Sequence, residues 1–163
     1  MILVTGSTGK VGSEAVRLLA ERHQRTRALV RDPSRAPYGN VEIVAGDFDR
    51  PDTLDAAMQG IDTVLLVSPA VPAQEIAVID SAARQGVTHV VKITSKASAD
   101  SPVDRRRGQA QIEARLEATS LAYTLLRANA HMQNLLALGP NGQADGRFRD
   151  VGRRRPDRHD RRP

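Results

Sequence analysis

The chain has no cysteine and no tryptophan, and its few aromatics are Tyr38, Phe48, Tyr123 and Phe148. Without cysteine there is no disulfide framework, no thiolate nucleophile and no thiolate metal site. Without aromatic bulk the interior has to be assembled from Val, Leu, Ile and Ala, a composition that suits a parallel sheet covered by helices. No apolar run approaches the roughly 20 residues of a membrane-spanning helix. The N-terminus has neither the charged lead nor the long apolar stretch of a secretory signal, so a cytoplasmic chain with no membrane partner is expected. The histidines, His23, His89, His131 and His159, are dispersed and none has metal-ligand spacing with another ligand. There is no G-x-S-x-G elbow. Gly9-Lys10 is followed by Val11 where a Walker sequence needs Ser or Thr.

What is present is a length of 163 residues, enough for one domain with a real core. The net charge of +5 suggests nucleic acid until it is located. Residues 147–163 carry eight Arg and three Asp, so the excess belongs to this tail and the remainder of the chain is balanced. The tail lacks interleaved aromatics and helical spacing, so a nucleic-acid partner is not expected.

The chain is organised around its first stretch, Met1 to Ser13. Ile2-Leu3-Val4 reads as a strand, glycines follow at Gly6, Gly9 and Gly12, and a helical pattern begins with Val11, Ala15, Leu18 and Leu19. Strand, glycine turn and helix make a site for a nucleotide diphosphate. Glycine permits the sharp turn and close phosphate approach, and the helix start offers unpaired N–H groups and a positive dipole end. The spacing is G-x-x-G-x-x-G, and an ordinary tight strand-to-helix turn is the competing reading. The strand before it and the helix after it favour phosphate binding, with Gly6, Gly9 and Gly12 at the pyrophosphate and Thr8, Lys10 and Val11 as neighbouring backbone donors.

The remaining pattern alternates. Helices are predicted at about Gly12–Arg22, Thr53–Gln59 (capped by Asp52), Ala73–Gln85, Asp104–Thr119 and Ala130–Leu138. Strands are predicted at Ala28–Val30, Val41–Val44, Thr63–Val67, His89–Thr94 and Leu121–Leu126. Six strands alternating with helices predict an α/β protein, a Rossmann-like, doubly wound parallel sheet in three layers. In such a sheet the end of the second strand lies beside the adenosine ribose. An acid there accepts from a free 2′-OH, whereas an Arg accommodates a 2′-phosphate. Arg31 holds that position, with Arg35 near it and Asp32 just beyond. NADP(H) is therefore favoured over NAD(H), against the plainer reading of a solvated Arg. Asp47 and Phe48, after the third strand, are placed to border adenine, although Asp47 serves equally well as a turn cap. Ser68 and Pro69 end the fourth strand where the cofactor passes.

With these residues in hand, the chain resembles the atypical short-chain dehydrogenase/reductases, and among them the NmrA-like group, over about residues 1–138. Thr5-Gly-Ser-Thr-Gly-Lys-Val-Gly12 is shared across the superfamily. Leu126-Arg127-Ala128-Asn129 with Met132-Gln133-Asn134-Leu135-Leu136 is more specific to the group. The resemblance implies an NAD(P)H-dependent oxidoreductase that passes hydride to a quinone or similar small acceptor. It also implies Ser95 as the catalytic candidate, with Ser95 and Asn129 near the nicotinamide; His131 could line the same side. The superfamily's Tyr-x-x-x-Lys pair is absent: alignment on Ile112-Glu113 puts Arg105 and Gln109 in its place. Arg does not deprotonate in proteins, so tyrosine-dependent alcohol oxidation is not expected. The alternative is a non-catalytic redox sensor that reports dinucleotide state to a protein partner.

In the resembled family further strands and helices follow and build the substrate pocket. Here residues 139–146 are rich in breakers and 147–163 are mostly Arg, Asp, Gly and Pro, a segment that cannot bury a core. Domain limits of 1–138 and 139–163 follow. The expectation is that the family's C-terminal part has been lost through truncation or a change of reading frame, with a functional basic arm as the second reading.

Overall fold

A computed structural model describes residues 1–36 and 41–128, with Arg35 described in its backbone alone. Asn129, His131, the helix predicted at Ala130–Leu138, and the tail all lie outside the described residues.

The elements alternate as expected: β1 (Ile2–Val4), α1 (Lys10–Glu21), β2 (Thr26–Val30), a 3-10 turn (Pro33–Arg35), β3 (Glu42–Ala45), α2 (Pro51–Met58), β4 (Thr63–Leu66), α3 (Pro72–Arg84), β5 (His89–Thr94), α4 (Asp104–Glu117) and β6 (Ala122–Arg127). All six strands are parallel, in the order β3-β2-β1-β4-β5-β6. This is the Rossmann order. Its direction reverses between β1 and β4, and ligands of such sheets bind outside the carboxyl ends of the strands at that reversal.

Alternation along the strands divides the interior. Leu3, Leu29, Val64, Leu66 and Val90 face α2, α3 and α4, where they meet Leu54, Met58, Ile79, Ile112 and Leu116. Val4 and Ala28 face the opposite way onto Val16 of α1, with Ile2, Leu19 and Leu65 around them. Among the described residues three helices cover one face and one covers the other, because β2 and β3 are joined through a single 3-10 turn. Among the described residues β6 is paired with β5 alone, and Tyr123 is 42% and Leu126 47% exposed.

The starts of α2 and α3 differ from the sequence expectation for one reason. Proline carries no N–H and has its φ preset for the first helical position. Pro51 therefore begins α2, with Arg50 as the cap, and Asp52 falls inside the first turn where it was expected to be the cap. Pro72 begins α3 in the same way. α1 begins two residues early, at Lys10, so that Gly9 is its cap.

The outer surfaces of these helices are tied by charge. Asp55 of α2 accepts from the Ser81 hydroxyl at 2.5 Å and from Arg84 Nη2 at 2.7 Å, both on α3. Arg115 of α4 reaches Asp80 of α3 at 2.7 Å. The Arg84 guanidinium, and then the Ser81 hydroxyl, hold the Asp55 carboxyl below the usual Asp range. A depressed carboxylate stabilises the fold above its unfolded-state pKa and loses that contribution as pH falls through the folded value. Asp55→Asn is thus expected to lower the melting temperature at pH 7 by roughly 1–4 °C, the range for a partly exposed pair. The gap between variant and wild type should close as the pH is taken below about 3.9. Thermal melts from pH 7 to pH 3 test this, and a gap that persists in acid would assign the loss to packing.

Candidate dinucleotide site

The reversal point of the sheet is built by the turn between β1 and α1. Thr5 fixes its first end. The Thr5 N–H donates to the Leu65 carbonyl at 3.1 Å, and its hydroxyl both accepts the Val67 N–H and donates to the Val67 carbonyl, each at 2.9 Å. Ser7 fixes the other flank by donating to the Leu29 carbonyl of β2 at 2.7 Å. Both side chains are buried. Within the turn, the Gly9 N–H donates to the Gly6 carbonyl at 2.9 Å, and the Ser13 N–H to the Gly9 carbonyl at 2.9 Å.

The glycines of the turn do different work. Gly6 has φ +55, and a Cβ there would lie 2.5 Å from the Val67 carbonyl oxygen. Gly12 packs on the turn itself, and a Cβ would come within 2.6 Å of the Gly6 carbonyl carbon. These two are needed to form the turn. Gly9 is exposed and extended (φ −85, ψ 169), and a Cβ would meet only the Gly6 oxygen, at 3.2 Å.

The start of α1 is bare. Gly9 offers no side-chain cap, no acid lies in the first turn, and the N–H groups of Lys10, Val11 and Gly12 have no acceptor among the described residues. Unpaired helix-start donors behind a glycine turn fit an anionic group such as a pyrophosphate. Gly6, Thr8, Gly9, Lys10, Val11 and Gly12 all lie in this turn and the first turn of α1. Thr8, Gly9 and Lys10 are exposed and Val11 is half-buried.

Arg31 follows β2 directly. It is exposed and makes no ion pair among the described residues. The neighbouring Asp32 carboxylate is turned to its own chain, accepting from the Ser34 N–H at 3.0 Å and the Ser34 hydroxyl at 2.7 Å. At the exit of β3, the Gly46 N–H reaches the Val30 carbonyl at 2.9 Å. Asp47 acts there as a turn cap, accepting the Asp49 N–H at 3.1 Å. Phe48 is half-buried against the larger core cluster.

At the exit of β4, the Ser68 hydroxyl is engaged by its own surroundings. It donates to the Glu75 carboxylate and accepts the Ala70 N–H at 2.9 Å. Pro69 is exposed. At the exit of β5, Ser95 is half-buried, and its hydroxyl has no partner among the described residues. Its carbonyl accepts from Arg127 at 3.3 Å, while Arg127 also grips Glu113 with two nitrogens, at 3.0 and 2.8 Å. Gln109 is 1% exposed and its amide oxygen accepts the Thr94 hydroxyl at 2.9 Å, which turns it into the contact between α4 and β5. Arg105 is exposed.

Sequence reasoning missed Thr5 and Ser7 as clamps, reading them only as turn formers. It also missed the buried partners Glu75 and Lys92. The available signal was Lys92 on the same face of the predicted strand as Val90, since a charge on a buried face requires an opposite charge beside it.

Comparison with known proteins agrees with this geometry. The NAD(P)H-binding family matches residues 6–147. The NAD(P)H azoreductase of Xenophilus azovorans is 40% identical over 155 residues, covering 91% of this chain and 54% of that protein. Quinone oxidoreductase 2 of Escherichia coli is 29% identical over 158 residues, covering 91% and 55%. The chain thus spans about half the length of the curated relatives it matches. The crystal structure of the Escherichia coli NADPH-dependent quinone oxidoreductase complexed with NADPH superposes with a TM-score of 0.80 at 27% identity, over 90% of this chain and 55% of that one. With the Rossmann strand order, the clamped glycine turn and a family match over most of its length, the chain belongs to the NAD(P)H-binding family.

Proposed function

We propose that the domain binds NADP(H) across the exits of β1 and β4 and acts as a reductase toward a quinone or a similar small, flat acceptor. The observation that carries this reading is the uncapped start of α1 behind a turn clamped by Thr5 and Ser7. The bound dinucleotide supplies the hydride. Gly6, Gly9 and Gly12 let the backbone approach the pyrophosphate, and the N–H groups of Lys10, Val11 and Gly12 donate to it. Arg31 pairs with the 2′-phosphate. One Asp32 oxygen is occupied with Ser34, which weakens the nearest competitor for that position. Asp47 and Phe48 border adenine, the main chain of Ser68 and Pro69 runs along the cofactor, and Ser95 stands at the nicotinamide end.

Arg105 and Gln109 cannot supply the acid/base pair of alcohol oxidation. A quinone that takes up a hydride becomes a hydroquinone monoanion, a stabilised phenolate that collects its proton from water, so the reduction needs no such pair. The names of the azoreductase and quinone oxidoreductase relatives support the same choice of acceptor. The lack of the pair also favours a second reading, a dinucleotide-binding redox reporter that acts through a protein partner. Steady-state NADPH oxidation by the full chain against a panel of quinones and azo dyes separates the two. Turnover supports the reductase, binding without turnover the reporter, and no binding of either dinucleotide removes both.

A further inference from the structure

Lys92 is the largest fully buried side chain of the domain. β5 alternates, so Lys92 projects with Val90 and Thr94 into the layer of α3 and α4, where an ammonium is costly unless paired. Its partner is Glu75, in the first turn of α3 and equally buried. One Glu75 oxygen accepts from Lys92 and the other from the Ser68 hydroxyl. Ser68 Oγ in turn accepts the Ala70 N–H at 2.9 Å. Ala70 has φ +64, a left-handed conformation that a residue with a Cβ holds only when its surroundings impose it. One residue back, both polar groups of the Val67 main chain are taken by Thr5, and the Val67 carbonyl closes over Gly6. A polar chain thus runs from the middle of β5 to the Ser68–Ala70 turn, and the main chain of Val67, which precedes Ser68, joins that turn to Thr5 and the glycine turn.

We propose that Glu75 and Lys92 are positioning residues of the dinucleotide site: through the Ser68 hydroxyl they hold the Ser68–Ala70 turn in place beside Gly6, and cofactor affinity depends on that hold. This rests on the reading of the glycine turn as the dinucleotide site. Stability alone does not explain the pair, because a buried ion pair replaced by apolar residues of similar volume commonly leaves a fold as stable or more so. Such a replacement would, however, leave the Ser68 hydroxyl without its acceptor, and the strained turn without its anchor.

The test compares two neutral double variants of the full chain. Glu75→Leu/Lys92→Met has no acceptor for Ser68, whereas Glu75→Gln/Lys92→Met keeps one. The first is expected to bind NADPH about tenfold more weakly by calorimetric titration, the factor that corresponds to one hydrogen bond of about 1.4 kcal/mol. Its Ala70 amide should exchange with solvent about tenfold faster, while the Leu66 and Val90 amides stay protected. The second should keep wild-type affinity and wild-type Ala70 exchange. Equal affinity and equal Ala70 exchange in both would overturn the proposal. So would Ser68→Ala losing affinity while Glu75→Leu/Lys92→Met does not, since the hydroxyl would then touch the cofactor directly. If Glu75→Leu/Lys92→Met does not fold, Ser68→Ala decides: unchanged Ala70 exchange overturns the hold. A wild-type chain that binds neither NADPH nor NADH would overturn the dinucleotide site itself, an outcome visible before any variant is compared.

Discussion

Gly9→Val is expected to lose measurable NAD(P)H binding while its far-UV circular dichroism stays near that of the wild type. Gly9 already has an extended backbone that a β-branched residue adopts readily, and its Cβ would press only on the Gly6 oxygen, at 3.2 Å. The cost to the fold is that of a poorer helix cap, about 1 kcal/mol. The cost to the site is larger, because the side chain stands where the pyrophosphate must approach the start of α1. Gly6→Ala and Gly12→Ala form the contrast. Gly6 would acquire a strained φ of +55 and a contact of 2.5 Å with the Val67 carbonyl. Gly12 would push α1 off the turn through backbone atoms that have no rotamer to yield. Overpacking of this kind costs about 1–3 kcal/mol, so both should lose affinity together with roughly 3–10 °C in melting temperature. Titration calorimetry beside thermal melts reads all three. Unchanged NADPH affinity in Gly9→Val would move the phosphate site elsewhere.

Arg31→Ala is expected to weaken NADPH binding roughly 10- to 100-fold and to leave NADH almost unaffected. A guanidinium pairs bidentately with a phosphate monoester, and charge-assisted hydrogen bonds of this kind contribute about 1.5–3 kcal/mol. That range corresponds to one to two factors of ten in affinity. Arg31 is free to make the contact, being exposed and without an ion pair among the described residues. Asp32 would oppose it as a free carboxylate, but its oxygen accepts from both the Ser34 N–H and hydroxyl, which weakens its claim on a ribose 2′-OH. Compensation by Arg35 would place the loss toward tenfold. Parallel titrations of NADPH and NADH against wild type and variant decide the matter. Equal losses for both cofactors, or tighter binding of NADH by the wild type, would refute the role.

The sequence by itself determined the sheet and singled out the candidate site. Short β-branched runs separated by amphipathic stretches predict a parallel α/β order, and the glycines between Ile2-Leu3-Val4 and the first helix mark the candidate phosphate turn. His89–Thr94 is read from sequence and found in the structure with the same bounds, because its β-branched residues Val90, Val91, Ile93 and Thr94 lie between the Gly86 turn and the polar pair Ser95-Lys96. Local signals stop at the residue's own neighbourhood, however. That Gly6 and Gly12 build the turn while Gly9 only borders it depends on Val67, some 60 residues away along the chain, and on the packing of α1 over Ser7. That Ser68 turns its hydroxyl inward depends on Glu75 and Lys92, which are distant from the glycine turn in sequence. That Gln109 faces Thr94 depends on how α4 seats on β5. Composition and periodicity report which residues must be buried. Which polar groups meet once they are buried is decided by the crossing of the chain at the reversal between β1 and β4, where segments far apart in sequence supply each other's hydrogen bonds.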